Sequence, residues 1–379
     1  MTVLPVLQTS EIDIGRFVRE QVESGTWREE IIPADILGTP RDMRIYRAPR
    51  NSNPVKHTWH GSVATFCPPK WYDLGIGSGA CGYGCRFCFL MLTFRAMRDP
   101  NSPVVYDNVE HFWSEVRRWL IAPDWKTDAK TPLGNKVRRI QRTHLDTLGL
   151  GIDCSDSLLF EGVTGHVRAL IPIFANPELN PRGNKLILLT KSANTHYLEG
   201  LPITDRVAVT FSLNPERIAD LWEGKYGDGV RITPPILTRL EACLHAQSLG
   251  FEVRWRLDPI LTPVGWEDDY RDYFLKAADM GLAPRYITLG TYRQKNKQLD
   301  IWRAKWSLPA PEWSPEELKE DGTHEHLLTT ERVEIYTKIV TLVNAAPWRH
   351  GPPRLELCKE PHTMRQAVGI QGVSCNCLQ

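Results

Sequence analysis

No apolar run in this 379-residue chain approaches the length of a membrane span. Its first residues, Met1-Thr-Val-Leu-Pro5, lack the basic-then-apolar pattern of a signal peptide, so a cytoplasmic location is expected. Neither charge is in excess: 46 Lys and Arg stand against 45 Asp and Glu, a formal net charge of +1. Nucleic-acid or membrane binding through overall charge is thereby excluded, and such a partner would need a local patch. Internal repeats and low-complexity tracts are missing as well. Nine cysteines are too few, and too unevenly spread, for the disulfide framework of a secreted protein. What remains is an ordinary globular composition, 42% apolar and 24% charged, with a core able to enclose a cofactor.

Three segments are expected: an N-terminal extension at 1–60, a central body at 61–293, and a C-terminal cap and tail at 294–379. The central body alternates β-rich and helical runs. Lys185–Thr190, Val207–Ser212, Glu252–Leu257 and Arg285–Leu289 read as strands. Residues 236–249 read as a helix with Ile236, Leu237, Leu240, Cys243 and Leu244 on its apolar face, stopped by Gly250. A second helix spans 266–280 and ends at Gly281. The alternation implies βα units and a parallel sheet, hence an α/β fold of the partial (β/α) TIM-type barrel class. Such a barrel gathers its functional loops at the carboxyl ends of the strands. Residues 291–326 read as a linker or irregular cap, followed by a helix over 327–345 and a strand at Arg354–Cys358.

The cysteines cluster where chemistry is expected. Cys81, Cys85 and Cys88 form a C-x3-C-x2-C loop, Gly79-Ala-Cys81-Gly-Tyr-Gly-Cys85-Arg-Phe-Cys88-Phe89-Leu90. Three thiolates so spaced can ligate three irons of a 4Fe–4S cubane and leave the fourth iron open. Gly82 and Gly84 suit the tight backbone this needs. Zinc and three plain buried cysteines are the other readings, although the paired C-x2-C units of a structural zinc site are absent nearby.

The triplet resembles the signature of the radical S-adenosylmethionine superfamily, and the wider pattern resembles the spore photoproduct lyase-like family. Ser155-Asp156-Ser157, Thr190-Lys191-Ser192-Ala-Asn194, Ser212-Leu-Asn-Pro215, Arg256-Leu-Asp258-Pro259-Ile260 and Gly265-Trp266-Glu267-Asp-Asp-Tyr270 carry the likeness, in order, over more than half the chain. It implies S-adenosylmethionine as cofactor and a 5′-deoxyadenosyl radical that takes hydrogen from a substrate. It also implies that Ser155 and Asp156 contact the methionine amino group, Lys191 its carboxylate, and Ser212 the ribose, with Phe87 against the cofactor. Two departures set the chain apart from the lyase proper. Phe87 and Phe89 stand where the lyase has hydrogen-relaying tyrosines. Asp153 stands where it has its hydrogen-donating cysteine, with Cys154 one place along as a candidate catalytic substitute or a buried structural cysteine. Repair of spore photoproduct is therefore not expected.

Near the C-terminus, Cys358, Cys375 and Cys377, with Cys67, are candidate ligands of a second iron–sulfur cluster. Glu360 and His362 are possible ligands or substrate contacts. The leading reading is a radical enzyme acting on a nucleic-acid base, as a lesion lyase or a thymine-modifying enzyme, reduced by flavodoxin or ferredoxin. Two basic stretches, Arg41–Arg50 and the helix-like Lys136–Arg142, are its local support, each also readable as a plain edge strand or solvated face. The other readings are a radical enzyme acting on a small metabolite or peptide, and an iron–sulfur redox sensor without turnover.

Overall fold

The computed structural model describes residues 19–57, 71–78, 81–85, 87–88, 103–131, 134–142, 146–151, 155–223, 230–294, 319–320 and 325–370. Its centre is an eight-stranded sheet whose strands follow one another in chain order. Seven are parallel among the described residues: β1 (Trp71–Leu74), β2 (Thr147–Leu150), β3 (Lys185–Thr190), β4 (Val207–Ser212), β5 (Glu252–Ile260), β6 (Tyr286–Thr291) and β7 (Arg354–Leu357). Val55–His57 adds an antiparallel edge beside β1. Helices α1 (Val109–Ile121), α2 (His166–Ala175), α3 (Glu216–Trp222), α4 (Ile236–Ser248), α5 (Trp266–Asp279) and α6 (Thr329–Ala345) lie between successive strands. This is the expected α/β architecture, a partial TIM-type barrel. No helix among the described residues is long and apolar enough to cross a membrane.

Period-2 alternation assigns each strand two faces. Leu186, Leu188, Val209, Phe211, Trp255 and Leu289 point outward into one apolar core shared with the helices. The opposite residues line the lumen in register, one rung running Ser212, Arg256, Thr288, Glu356. Lower down, Trp71, Ile187 and Ala208 pack together as a small buried cluster. A smaller four-stranded sheet of Arg28–Ile32, Met43–Ala48, Val104–Tyr106 and Gly77–Ser78 lies beside the barrel. Its Ile32, Met43, Ile45 and Val105 share a core with Tyr83, Cys85, Leu159 and Phe160. The N-terminal strands thus pack directly on the cysteine loop.

Three sequence expectations are corrected. The buried face of α4 is rotated: Leu237 is exposed, while Arg239 is fully buried because it meets a buried carboxylate. Lys136–Arg142 is not helical. Gly134–Gln141 is a strand paired antiparallel with Asp124–Thr131, as β-branched Thr127, Thr131, Val137 and Ile140 favour. Arg142 beyond it is buried, bonded to Asp146, Asn184 and the Trp119 carbonyl, and so is no phosphate contact. The described parts of 291–326 include a three-stranded antiparallel sheet of Arg293–Gln294, Lys319–Glu320 and Glu325–His326. The Arg41–Arg50 stretch contains the strand Met43–Ala48, and its arginines turn to internal partners. Arg44 pairs with Glu29, Arg47 with Glu30 and the Val163 carbonyl, and buried Arg50 with the Gly75 carbonyl.

Candidate functional site

The cysteine loop follows β1 and so stands at the carboxyl mouth of the barrel. Cys81, Cys85 and Cys88 are all outside disulfides. The Cys88 amide donates to the Cys85 carbonyl at 3.0 Å, and Gly82 and Gly84 have φ of 85° and 60°, which L side chains avoid. A Cβ on Gly82 would also meet the Met43 sulfur at 2.6 Å, so that side chain would have to shift. Burial pushes the Cys81 thiol up to about 12, with Cys88 adding to it. Burial raises Cys85 further, opposed first by Lys191. Such thiols keep their protons until a metal displaces them. The donor set is three thiols on one apolar-packed loop beside a lysine, which fits a cluster held through three of its irons. Among the described residues, no three His, Cys, Asp or Glu side chains converge on the position of a single metal ion.

Asp156 and Lys191 are joined through the backbone. Asp156 Oδ1 accepts from the Leu158 and Leu159 amides, both at 3.0 Å, and from Thr190 Oγ1 at 2.7 Å. Its Oδ2 accepts from the Lys191 amide at 2.6 Å. Burial raises this carboxyl, and those four donors oppose the rise. The carboxylate therefore ties the end of β2 to the end of β3. Ser155 beside it is half-buried, its Oγ donating to the Asp156 carbonyl at 3.4 Å. The turn depends on Gly151, with φ of 80°, where a Cβ would meet the Leu189 carbonyl and the Ser157 amide at 2.6 Å. Gly151→Ala should destabilise the fold by about 1–3 kcal/mol, measured by chemical denaturation. A change within error would mean that the turn relaxes freely.

Lys191 Nζ donates to Ser212 Oγ at 2.9 Å and to Glu223 Oε1 at 2.7 Å. It lies 5.4 Å from the centre of the Phe87 ring, which places the ammonium against the cysteine loop. Glu223 is fully buried, and its other oxygen accepts from Arg239 Nη2 at 2.5 Å. Burial would raise this carboxyl, but Arg239 and then Lys191 outweigh it and hold it at about 2. The two cations exceed the one anion. Lys191, Ser212 and Phe87 are thus brought together, and Asp156 supports them from behind. Glu223 and Arg239 were missed. The one available signal was an arginine inside a helix that is otherwise apolar on that side.

Cys358 lies at the end of β7, buried, its sulfur 3.2 Å from Arg256 Nη2. Glu360 is buried and held by Arg332 at 2.6 Å and by the Tyr336 hydroxyl at 2.9 Å, whereas His362 is exposed. Cys67, Phe89, Asp153, Cys154, Cys375 and Cys377 fall outside the described residues.

No protein-family model matches the chain, and no curated protein matches it significantly. Solved structures do. A spore photoproduct lyase complexed with dinucleoside spore photoproduct superposes with a TM-score of 0.60 at 15% identity, covering 83% of this chain and 81% of that one. A mutant of that lyase with bound AdoMet and dinucleoside spore photoproduct also gives 0.60, at 14% identity, covering 84% and 82%. At this identity the likeness shows the fold alone: a partial barrel similar to that of spore photoproduct lyase.

Proposed function

We propose that this chain is a radical S-adenosylmethionine enzyme whose substrate carries a nucleic-acid base. One observation carries the reading: Lys191, with Ser212 on its ammonium and Phe87 beneath it, stands directly beside the loop of Cys81, Cys85 and Cys88. When bound, a 4Fe–4S cluster with S-adenosylmethionine supplies a carbon radical that takes a hydrogen atom from the substrate. The three thiolates would hold three irons of that cluster. Lys191 neutralises the cofactor carboxylate, and Ser212 orients the ammonium and faces the ribose. Asp156 and Ser155 position this group, with Asp156 acting through the Lys191 backbone. The buried apolar group of Trp71, Ile187 and Ala208 lower in the lumen would disfavour water there.

The nucleic-acid base is supported by the lesion bound in the related lyase structures. Phe87, which has no phenolic hydroxyl, favours a reaction other than spore photoproduct repair. A small free substrate is the second reading, favoured by the inward turn of Arg47, Arg50 and Arg142, which leaves those residues unable to track a phosphate backbone. A flavodoxin or ferredoxin would supply the electron, and Cys358 with the tail cysteines a second cluster.

Anaerobic reconstitution with iron and sulfide, then dithionite and S-adenosylmethionine, tests this. About four irons per chain, or about eight with a second cluster, and 5′-deoxyadenosine as product are expected. Cys81→Ala, Cys85→Ala and Cys88→Ala should each abolish the nucleoside. Zinc in place of iron, or full turnover in any of these variants, would remove the assignment. Salt-dependent retention on DNA would favour a polymer over a free substrate.

A further inference from the structure

Arg239 lies inside α4 with no exposed surface, and neither the cluster ligands nor the cofactor contacts account for it. Its Nε donates to the Pro234 carbonyl at 2.9 Å and its Nη1 to the Ser212 carbonyl at 3.4 Å. Both acceptors are neutral. Its one counter-ion among the described residues is Glu223, whose Oε2 accepts from Nη2 at 2.5 Å while Oε1 faces Lys191 at 2.7 Å. Arginine is rarely buried outright unless it is paired. Apolar residues in place of a buried ion pair are often no less stable, so stability alone is a weak reason for this one.

The partners of Lys191 supply a better reason. An ammonium has three N–H donors and no acceptor. Ser212 Oγ takes one and Glu223 Oε1 another, and the third has no partner among the described residues. The ammonium stands 5.4 Å from the centre of the Phe87 ring, beside the cysteine loop. Paired with Glu223 alone, Lys191 would be half of a neutral pair and would attract a second carboxylate only weakly. Arg239 shares that carboxylate, so the three side chains together keep one positive charge. Asp156 bonds only amides and a hydroxyl, and does not enter this balance.

We infer that Arg239 is a positioning residue which, acting through Glu223, keeps the charge of Lys191 available for the carboxylate of S-adenosylmethionine. This role rests on the S-adenosylmethionine reading of the site, and it adds a residue that has no surface of its own to offer a ligand. Glu223 and Ser212 fix where the ammonium stands. Arg239 fixes how much of its charge is left for a ligand.

Equilibrium binding to the reconstituted, unreduced holoenzyme tests this without turnover, with iron content checked in each variant. The probes are S-adenosylmethionine and its decarboxylated analogue, which keeps the sulfonium and the amine. Wild-type protein should prefer the probe that bears the carboxylate. Part of that preference belongs to the open iron, which every variant shares. Arg239→Met makes the three side chains neutral overall. It should cut the preference about tenfold and change the affinity of the analogue by no more than about twofold. Combining it with Glu223→Gln restores one positive charge and keeps an acceptor for Lys191, so most of the preference should return. Should Arg239→Met not fold, Arg239→Gln makes the same change of charge with a polar side chain. A merely structural arginine would weaken both probes together, and the double variant would be no better than the single one. Either of those results would overturn the positioning role while leaving the cofactor reading in place. Wild-type protein that takes up iron but binds no S-adenosylmethionine would remove the cofactor reading, and the positioning role with it.

Discussion

Glu223→Ala should be among the most damaging single changes in this protein, costing about 3–5 kcal/mol in chemical denaturation of the apo chain. Glu223 and Arg239 are both fully buried, and Lys191 is 12% exposed. Removing the carboxylate leaves Arg239 charged in the interior with only carbonyl partners, those of Pro234 and Ser212. The cost lies less in the lost attraction than in the unpaired charge that stays behind. Replacing Glu223 and Arg239 together by apolar residues should therefore recover most of the loss, and this double variant separates charge from volume. The same pair sets an acid limit. The Glu223 carboxyl sits at about 2 in the folded protein against an ordinary 4.5, so its contribution is complete above 4.5 and disappears as pH falls toward 2. Glu223→Gln should flatten the stability profile in that window. A loss below about 1 kcal/mol for Glu223→Ala would mean that water reaches the site.

Lys191→Ala should weaken S-adenosylmethionine binding by about ten- to a hundredfold, the range of a lost charge-assisted contact. Stability should change little, because Glu223 keeps Arg239 as its partner. That split distinguishes a ligand-binding lysine from a structural one. Calorimetric titration of the reconstituted protein gives the dissociation constant, and iron content checks that the cluster is retained. An unchanged dissociation constant would show that Lys191 serves only the Glu223 network.

Much of the scaffold was legible in consecutive residues. The apolar runs of β3 and β4, the 266–280 periodicity stopped by Gly281 and the helix near 327–345 all appear close to where the pattern puts them. The cysteine loop was legible for the same reason: its donors and its positive-φ glycines lie within one short segment. Misreadings arose where local pattern and tertiary demand conflict. In Lys136–Arg142 the cationic side chains hid a strand pattern, and in α4 an arginine took an inward position that periodicity reserves for leucine.

The sequence by itself determined the strand–helix order, and with it the parallel barrel, and it marked three thiols in one loop, because each depends on neighbours in the chain. Only the tertiary structure decided what those thiols face. Glu223 reaches Lys191 across 32 positions and Arg239 across 16, and Arg256 reaches Cys358 across 102. Contacts of this kind leave no periodic trace. They are selected by which strand ends the barrel brings together and by the low polarity there, which makes an uncompensated charge costly enough to require a partner.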